Sequence, residues 1–318
     1  MAKKNLDPAD FIVPLNISGL EGRMLHIPPQ GKGKREILFV YGHHSTLERW
    51  WGLMNVLSEY GTVTMPDLPG FGGMDSFYKV GQKPTIDAMA DYMAAFIKWR
   101  YKRKKKVTLV GISFGFVVIT RMLQRYPDLT AKVDLLISLV GFAHRDDFLF
   151  SPTRRRVYRT TAKILSYKLP AFIFRYTAIT APVLRLAYAK TYNAKKKFAA
   201  VTDREEFNRM MDFEVVLWHQ NHVRTHWFTS HEFLDLDNCD RTVDLPVWHV
   251  ATANDHFFDH SVVEQHMRVI FSDFEEAEMQ LASHAPSVIA DAEMAAPLVP
   301  EKIRRLLAKE LKEVEKSK

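Results

Sequence analysis

The sequence predicts an α/β fold, a mostly parallel central sheet flanked by helices with an inserted helical cap, and three observations lead there. Short β-rich apolar runs alternate with helical segments through the first part of the chain, the order that a parallel sheet covered on both faces requires. A serine between two glycines, in Gly111-Ile-Ser113-Phe-Gly115, joins one such strand to the helix that follows it. Beyond Gly141 the alternation stops for roughly a hundred residues, too long a stretch for a structureless loop in a compact domain. The expected division is a first core segment at 1–141, a helical cap at 142–245 and a second core segment at 246–318.

Taken in order, Phe11 to Ile27 alternate apolar and polar side chains around Ser18-Gly19-Leu20-Glu21-Gly22, the pattern of an antiparallel hairpin at a sheet edge. Glu36 to Gly42 is a short apolar strand ending in Gly42-His43-His44-Ser45-Thr46. Helical spacing from Leu47 to Tyr60 then suggests Ser45 or Thr46 as an N-cap. Thr62 to Met65 reads as strand, Pro66 to Gly73 as a turn-rich loop and Thr85 to Arg100 as an amphipathic helix. Val107 to Val110 is β-rich and apolar. The run from Phe116 to Gln124 continues as helix until Tyr126-Pro127, where proline pushes its predecessor out of the α region. Val133 to Gly141 adds a strand, and within the cap Pro152, Pro170 and Pro182 divide the chain into short helices. The sheet resumes with Val247 to Thr252, a helix over about Ser261 to Phe271, a strand near Ala277 to Leu281 and a last helix from Pro300. The charged tail from Lys302 to Lys318 is expected to fray.

Composition narrows the function classes. With 47% hydrophobic and 25% charged residues in 318, the chain is globular and long enough for a sizeable core. Its one cysteine, Cys239, excludes an internal disulfide, implies no catalytic thiol and fits a reducing, cytoplasmic setting. The amino terminus carries no signal-like apolar region, and the longest uncharged apolar run, Val107 to Thr120, is too short to cross a bilayer. The net charge of +7 is local. Phe148 to Thr202 holds twelve Lys or Arg and no Asp or Glu, so the remainder of the chain is net acidic. A second basic run, Lys98 to Lys106, reads as a solvated surface connection.

The glycines beside Ser113 remove the side chains that would collide where strand and helix close together. By itself the pentapeptide fits two readings, a hydroxyl exposed above a sheet or a serine that merely caps a helix. Four separated features then occur in one order: Tyr41-Gly42-His43 after the first buried strand, Asp67-Leu-Pro-Gly-Phe-Gly72, the serine turn, and Asp255 and His284 at later strand ends. In these the chain resembles the α/β-hydrolase family, specifically its cap-bearing branch with a serine nucleophile, over about Phe11 to His284 outside the cap. Tyr41-Gly42-His43 stands where the family commonly has His-Gly-x, Asp67 to Gly72 matches its D-x-x-G-x-G loop, and Gly111 to Gly115 matches its nucleophile elbow.

The resemblance implies a Ser-His-Asp triad working through an acyl-enzyme on a small-molecule acyl substrate. Ser113 would be the nucleophile, His284 the base and acid, and Asp255 the orienting carboxylate, with Asp259 a nearby rival for the last role. It also implies an oxyanion hole of two backbone N–H groups, from His43 and Phe114. An ester or thioester is the expected substrate; a C–C bond, amide or lactone is the alternative for the same triad. The rival of another class is a hydrolase-like binding module docked on acidic lipid or a protein partner. No cofactor and no metal is expected. The departures from the family pattern are Tyr41 for the usual histidine, Met74 at the loop's serine position and Phe116 for a small residue. His43, His44 and Phe116 are expected to shape the pocket.

Two cap segments carry further polar chemistry. Trp218 to Trp227 contains His219, His222 and His226, with His231 beyond it. On one helix the first three share a face, and His222 with His226 has the spacing of a metal pair. No acidic residue lies inside the segment, so polar contacts at the seam between cap and core, or plain exposure, are expected. The basic window admits a solvated helical face, recognition of an anionic group on the substrate, or peripheral contact with an acidic membrane surface. The last two readings arise because Arg154-Arg-Arg156 and Lys195-Lys-Lys197 are interleaved with Tyr158, Ile164, Leu165, Phe172, Ile173 and Phe174. Nucleic acid fits poorly, since no binding motif accompanies the charge.

Overall fold

An antiparallel hairpin opens the structure, strands β1 (Ile12–Ile17) and β2 (Leu20–Ile27) pairing through Ile17 and Leu20. The computed structural model describes residues 7–102, 105–190, 204–252, 255–280, 284, 286–288 and 290–309. The two-residue hairpin turn needs left-handed backbone at both positions, and Ser18 and Gly19 adopt φ of 54° and 80°. Strand β3 (Arg35–Val40) leads through a short 3-10 turn, Glu48–Trp50, into helix α1 (Trp51–Ser58). Neither expected N-cap is used. The Ser45 hydroxyl accepts the Trp50 indole N–H at 2.7 Å and the Thr46 hydroxyl bonds Glu48, because the tighter turn separates both residues from the helix.

Strand β4 (Gly61–Pro66) precedes helix α2 (Ile86–Arg100), whose N-cap Thr85 accepts the Ala88 N–H at 3.0 Å. Strand β5 (Val107–Ile112), helix α3 (Phe114–Arg125) and strand β6 (Val133–Leu139) follow as the sequence predicts. A helical insertion comes next: α4 (Pro152–Leu165), α5 (Lys168–Thr177), α6 (Ala181–Lys190), α7 (Arg204–Gln220) and α8 (Val223–Phe233). Pro152, Pro170 and Pro182 all stand in first turns, where a missing N–H interrupts no helical hydrogen bond. Lys195 to Lys197 lie outside the described residues.

The sheet resumes at β7 (Val243–Ala251), followed by α9 (His260–Ile270), β8 (Phe271–Glu278), α10 (Ala292–Ala295) and α11 (Glu301–Ala308). Two boundaries differ from expectation: β7 begins before Val247, and β8 follows α9 directly instead of starting near Ala277. Strand β8 is an edge strand that buries only Phe271, Phe274 and Ala277 and sets acidic residues between them, a pattern with no apolar run to find. Leu281, and the tail beyond Lys309, lie outside the described residues.

All eight strands form one sheet in the order β1-β2-β4-β3-β5-β6-β7-β8, antiparallel at β1, β2 and β4 and parallel from β4 to β8. The chain moves from β3 to β4 on one side and then returns to β5 on the other. A crevice opens above the carboxyl ends of β3 and β5 at such a reversal, and ligands bind there in open α/β sheets. Every residue of β5 is buried, as expected of a central strand covered by helices on both faces. No helix of the described residues is long and apolar enough to cross a membrane.

Helix α3 lies unusually close to the sheet. A Cβ placed on Gly115 would fall 2.1 Å from the Val40 carbonyl oxygen and 2.5 Å from that of Tyr41, both rigid backbone atoms. A Gly115→Ala variant is therefore expected to lose about 1–3 kcal/mol of stability, or to shift α3 off β3, as read by urea unfolding. An unchanged midpoint would show that the helix has room to move.

Candidate active site

Strand β5 carries Ser113 to the crevice, and strand β3 carries Gly42 and His43 to the same place. Ser113 adopts φ 51° and ψ −121°, a conformation that residues with side chains seldom take. Its N–H donates to the Leu139 carbonyl at 3.0 Å, and its own carbonyl accepts the Phe116 N–H at 3.0 Å, so the turn is held from both sides. A Cβ on Gly42 would stand 3.3 Å from Ser113 Cβ and 3.9 Å from Ser113 Oγ, which shows how closely the loop after β3 passes the serine.

Ser113 and His284 both line a cavity of about 250 Å³, together with Gly42, His43 and Phe114. Phe142, Phe148, Phe233, Phe257, Phe258 and Trp50 make most of the remaining wall aromatic. Asp255, just beyond β7, accepts the His284 Nδ1–H at 2.7 Å through Oδ2, while its Oδ1 accepts the N–H groups of Phe257 at 2.7 Å and Phe258 at 3.3 Å. Burial alone would raise the Asp255 pKa, but the bond to His284 and the two backbone donors hold it below the usual carboxylate value. With Nδ1 donating to a carboxylate, the neutral imidazole keeps its lone pair on Nε2. Asp259 plays a different part, as N-cap of α9 with its carboxylate on the N–H groups of Ser261 and Val262.

The backbone N–H groups of His43 and Phe114 engage no other group among the described residues, and both residues line the cavity. The side chain of His43 turns the other way. Its Nε2 lies 2.8 Å from Thr229 Oγ1 and 3.2 Å from the His226 carbonyl, and because that hydroxyl donates to the Thr225 carbonyl at 2.8 Å, Nε2 carries the proton. The ring packs against Phe71, Phe114, His226 and Phe233. Burial lowers its pKa to about 4, so it is neutral at pH 7.

Tyr41, where the resemblance implies a histidine, donates its hydroxyl to Asp67 at 2.9 Å and accepts the Leu68 N–H at 2.8 Å. Arg23 reaches the other Asp67 oxygen at 3.2 Å and the Gly72 carbonyl at 2.6 Å. The loop after β4 is thereby tied to the end of β3. Phe116 and His44 do not shape the cavity as expected. Phe116 is fully buried below Gly141 and against Phe271, and the His44 ring rests on Trp218 at 4.2 Å.

The histidine-rich segment is not one helix, because the chain breaks between α7 and α8. His222 becomes the N-cap of α8, and His226 lies one turn on, within ring contact of His43, His44 and Trp218. These residues form the seam between insertion and core, where Asn221 accepts the Gly72 N–H at 2.9 Å and the His222 N–H meets the Gly70 carbonyl at 2.8 Å. Burial lowers the His222 pKa to about 4 as well.

Among the cavity residues that the sequence does not mark, the aromatic wall included, Arg49 is the charged one. It follows Glu48 at the start of an aromatic helix and looks like an ordinary surface pair; only the fold turns its side chain inward. Its Nε is buried without a hydrogen-bond partner, and the guanidinium lies 5.4 Å from the Trp50 ring centroid. Burial lowers its pKa, while the charges of Glu214 and Tyr188 in the insertion act in the opposite sense. Among the described residues no carboxylate makes an ion pair with it.

Residues 37–285 match the family model of the alpha/beta hydrolase fold. Among curated proteins, Protein ABHD8 of Bos taurus is 34% identical over 101 residues, 31% of this chain and 23% of that protein. The Abhydrolase domain-containing protein abhd-5.2 of Caenorhabditis elegans is 32% identical over 100 residues, 31% of this chain and 22% of that protein. The chain thus spans about a quarter of the length of the curated relatives it matches. Among solved structures, a thermophilic esterase from Thermogutta terrifontis has a TM-score of 0.59 at 18% identity, with 93% of this chain and 97% of that chain covered. The N-acyl homoserine lactonase AidH has a TM-score of 0.62 at 16% identity, with coverage of 94% and 98%. The N-formylmaleamic acid deformylase Nfo from Pseudomonas putida has 0.59 at 15%, with coverage of 86% and 93%. At these identities the shared property is the fold.

The neutral histidines at the seam set a pH dependence. Folded His43 and His222, at about 4, refuse protons that the unfolded chain takes up near 6.5, so stability falls as pH drops from about 6.5 towards 4. Urea unfolding between pH 7 and pH 4.5 is expected to show this decline, and His43→Gln is expected to make it shallower. Equal slopes for the two proteins would contradict the assignment.

Proposed function

Because the chain belongs to the alpha/beta hydrolase fold family, we propose that it is a serine hydrolase that cleaves an ester or thioester through an acyl-enzyme. One observation carries this reading: a serine at positive φ shares an aromatic cavity with a histidine whose Nδ1 is held by a buried carboxylate at 2.7 Å. Ser113 Oγ attacks the acyl carbon while His284 Nε2 takes the hydroxyl proton, and Asp255 holds the imidazole in that tautomer and stabilises the imidazolium. The oxygen that becomes negative accepts the N–H groups of His43 and Phe114. Collapse expels the alcohol or thiol, which takes the proton from His284. Water then adds to the acyl-enzyme by the same base, releasing the carboxylic acid and restoring Ser113.

The inserted helices would serve as a cap, since their seam with the core runs through the side chain of His43, whose backbone N–H is one of the two donors. The lone cysteine fits a cytoplasmic setting; burial raises the thiol pKa of Cys239 to about 11, so it is unreactive. Arg49 supplies the likeness to a specificity element: a cation on the cavity wall, with an unpartnered Nε, suits a substrate that carries an anionic group away from the scissile bond. The same constellation serves lactones and amides, and the esterase, lactonase and deformylase among the structural neighbours are acyl-carbon hydrolases by their names.

Labelling with a fluorophosphonate is expected for the wild type and lost in Ser113→Ala, with kcat/KM falling at least about 10⁴-fold, and Asp255→Asn is expected to lose about 10³–10⁴-fold. A folded wild type that takes no label would refute the reading. For Arg49→Met, kcat/KM on a p-nitrophenyl hemisuccinate is expected to drop about 10–100-fold while that on p-nitrophenyl butyrate is unchanged. Equal losses on both esters would remove Arg49 from substrate recognition.

A further inference from the structure

Helix α5 presents an apolar stripe to solvent. Leu169, Phe172, Ile173 and Tyr176 have the i, i+3, i+4, i+7 spacing of a buried helix face, yet they are 68%, 60%, 52% and 65% exposed. The inward side of the same helix is apolar too, with Ala171 at 3% exposure. Helices that are apolar on both sides belong in an interior, and large exposed apolar patches mark a surface that meets something else. Ile164 on the adjacent helix α4, 52% exposed, extends the patch.

Charge decides what that partner is. Among the described residues, Arg156, Lys163 and Lys168 are exposed and have no carboxylate within ion-pair distance. The whole window from Phe148 to Thr202 contributes twelve cations and no acid. A second copy of the chain on this face would set cation against cation, which is unfavourable. Nucleic acid would offer nothing to the aliphatic side chains. An anionic bilayer suits both, with apolar residues entering the interface and Lys and Arg stems reaching up to the headgroups.

The surface of α4 also connects with the cavity. Phe148, on the cavity wall, stacks on Phe150 at 5.4 Å and 15°, and the Arg154 guanidinium lies over the Phe150 ring at 5.1 Å. Arg154 donates to the Tyr158 hydroxyl on α4, and the Tyr158 ring meets Phe150 edge-on at 5.4 Å, so a chain of aromatic contacts runs from the surface of α4 to the pocket. We propose that the outer face of α4 and α5 docks this protein on membranes rich in anionic lipid, peripherally and reversibly. The docking does not depend on the hydrolase reading, and its test uses no activity.

The full chain would be co-sedimented with phosphatidylcholine vesicles, with and without phosphatidylglycerol, at low and high salt. Expected is binding only to the anionic vesicles, weakened by salt. Leu169→Glu/Phe172→Glu is expected to reduce partitioning at least about tenfold, and Arg156→Glu/Lys163→Glu/Lys168→Glu at least about a hundredfold. All five positions are exposed, and an unchanged near-ultraviolet circular dichroism spectrum checks that each variant folds. Binding indifferent to lipid charge, or no vesicle binding by the wild type, overturns the proposal. So does a solution dimer that Leu169→Glu disperses, which would assign the face to a second copy.

Discussion

The contact on which the rest of the structure depends is the approach of helix α3 to the end of strand β3. With no side chain at Gly115, the first turn of the helix rests on the carbonyls of Val40 and Tyr41, closer than any Cβ would permit. Because strand and helix meet so tightly, the residue between them has to turn through positive φ, and Ser113 is raised above the sheet. The same approach brings the loop after β3 beside the serine, so Gly42, His43 and the Ser113 hydroxyl share one small volume. A single steric condition thus sets the position of the Ser113 hydroxyl and of the neighbouring backbone N–H groups together.

Around that contact the polar groups are arranged so that each loop is held by another element. Tyr41 and Arg23 meet on Asp67 and link the ends of β3 and β4 to the edge hairpin. His43 and Asn221 link the loops of the core to the inserted helices. Burying imidazoles in this seam keeps them neutral and makes them hydrogen-bonding struts in place of charges. The loop that bears one backbone donor is consequently braced from the insertion side, and movement of the insertion would be felt at the site.

The insertion has two unlike surfaces. Its inner one meets the core through histidine, tryptophan and threonine side chains, whereas its outer one combines exposed aliphatic and aromatic residues with cations. Sequence divergence has a simple place in this picture. Solved structures at 15–18% identity share this fold, since the burial pattern of a sheet tolerates many apolar residues.

Local patterns made much of this legible in the chain itself. Alternating strand and helix, the glycines around Ser113 and the order of Asp67, Ser113, Asp255 and His284 are properties of short stretches, and short stretches determine turns, strand ends and chain order. The charged edge strand β8 and the break between α7 and α8 were hidden, because an edge strand needs no apolar run and a helix break at Asn221 is made by its bond to a glycine N–H far away in the chain. Arg49 and the outward stripe of α5 were hidden for a related reason. Whether a side chain faces a cavity, a core or solvent is set by what packs against its element, and that follows from contacts between segments distant in sequence. The sequence by itself determined the order of elements and the kinds of residue brought to the strand ends; only the tertiary structure decided which cation lines the cavity that Ser113 enters and which apolar face is left uncovered, because both depend on packing between segments distant in sequence.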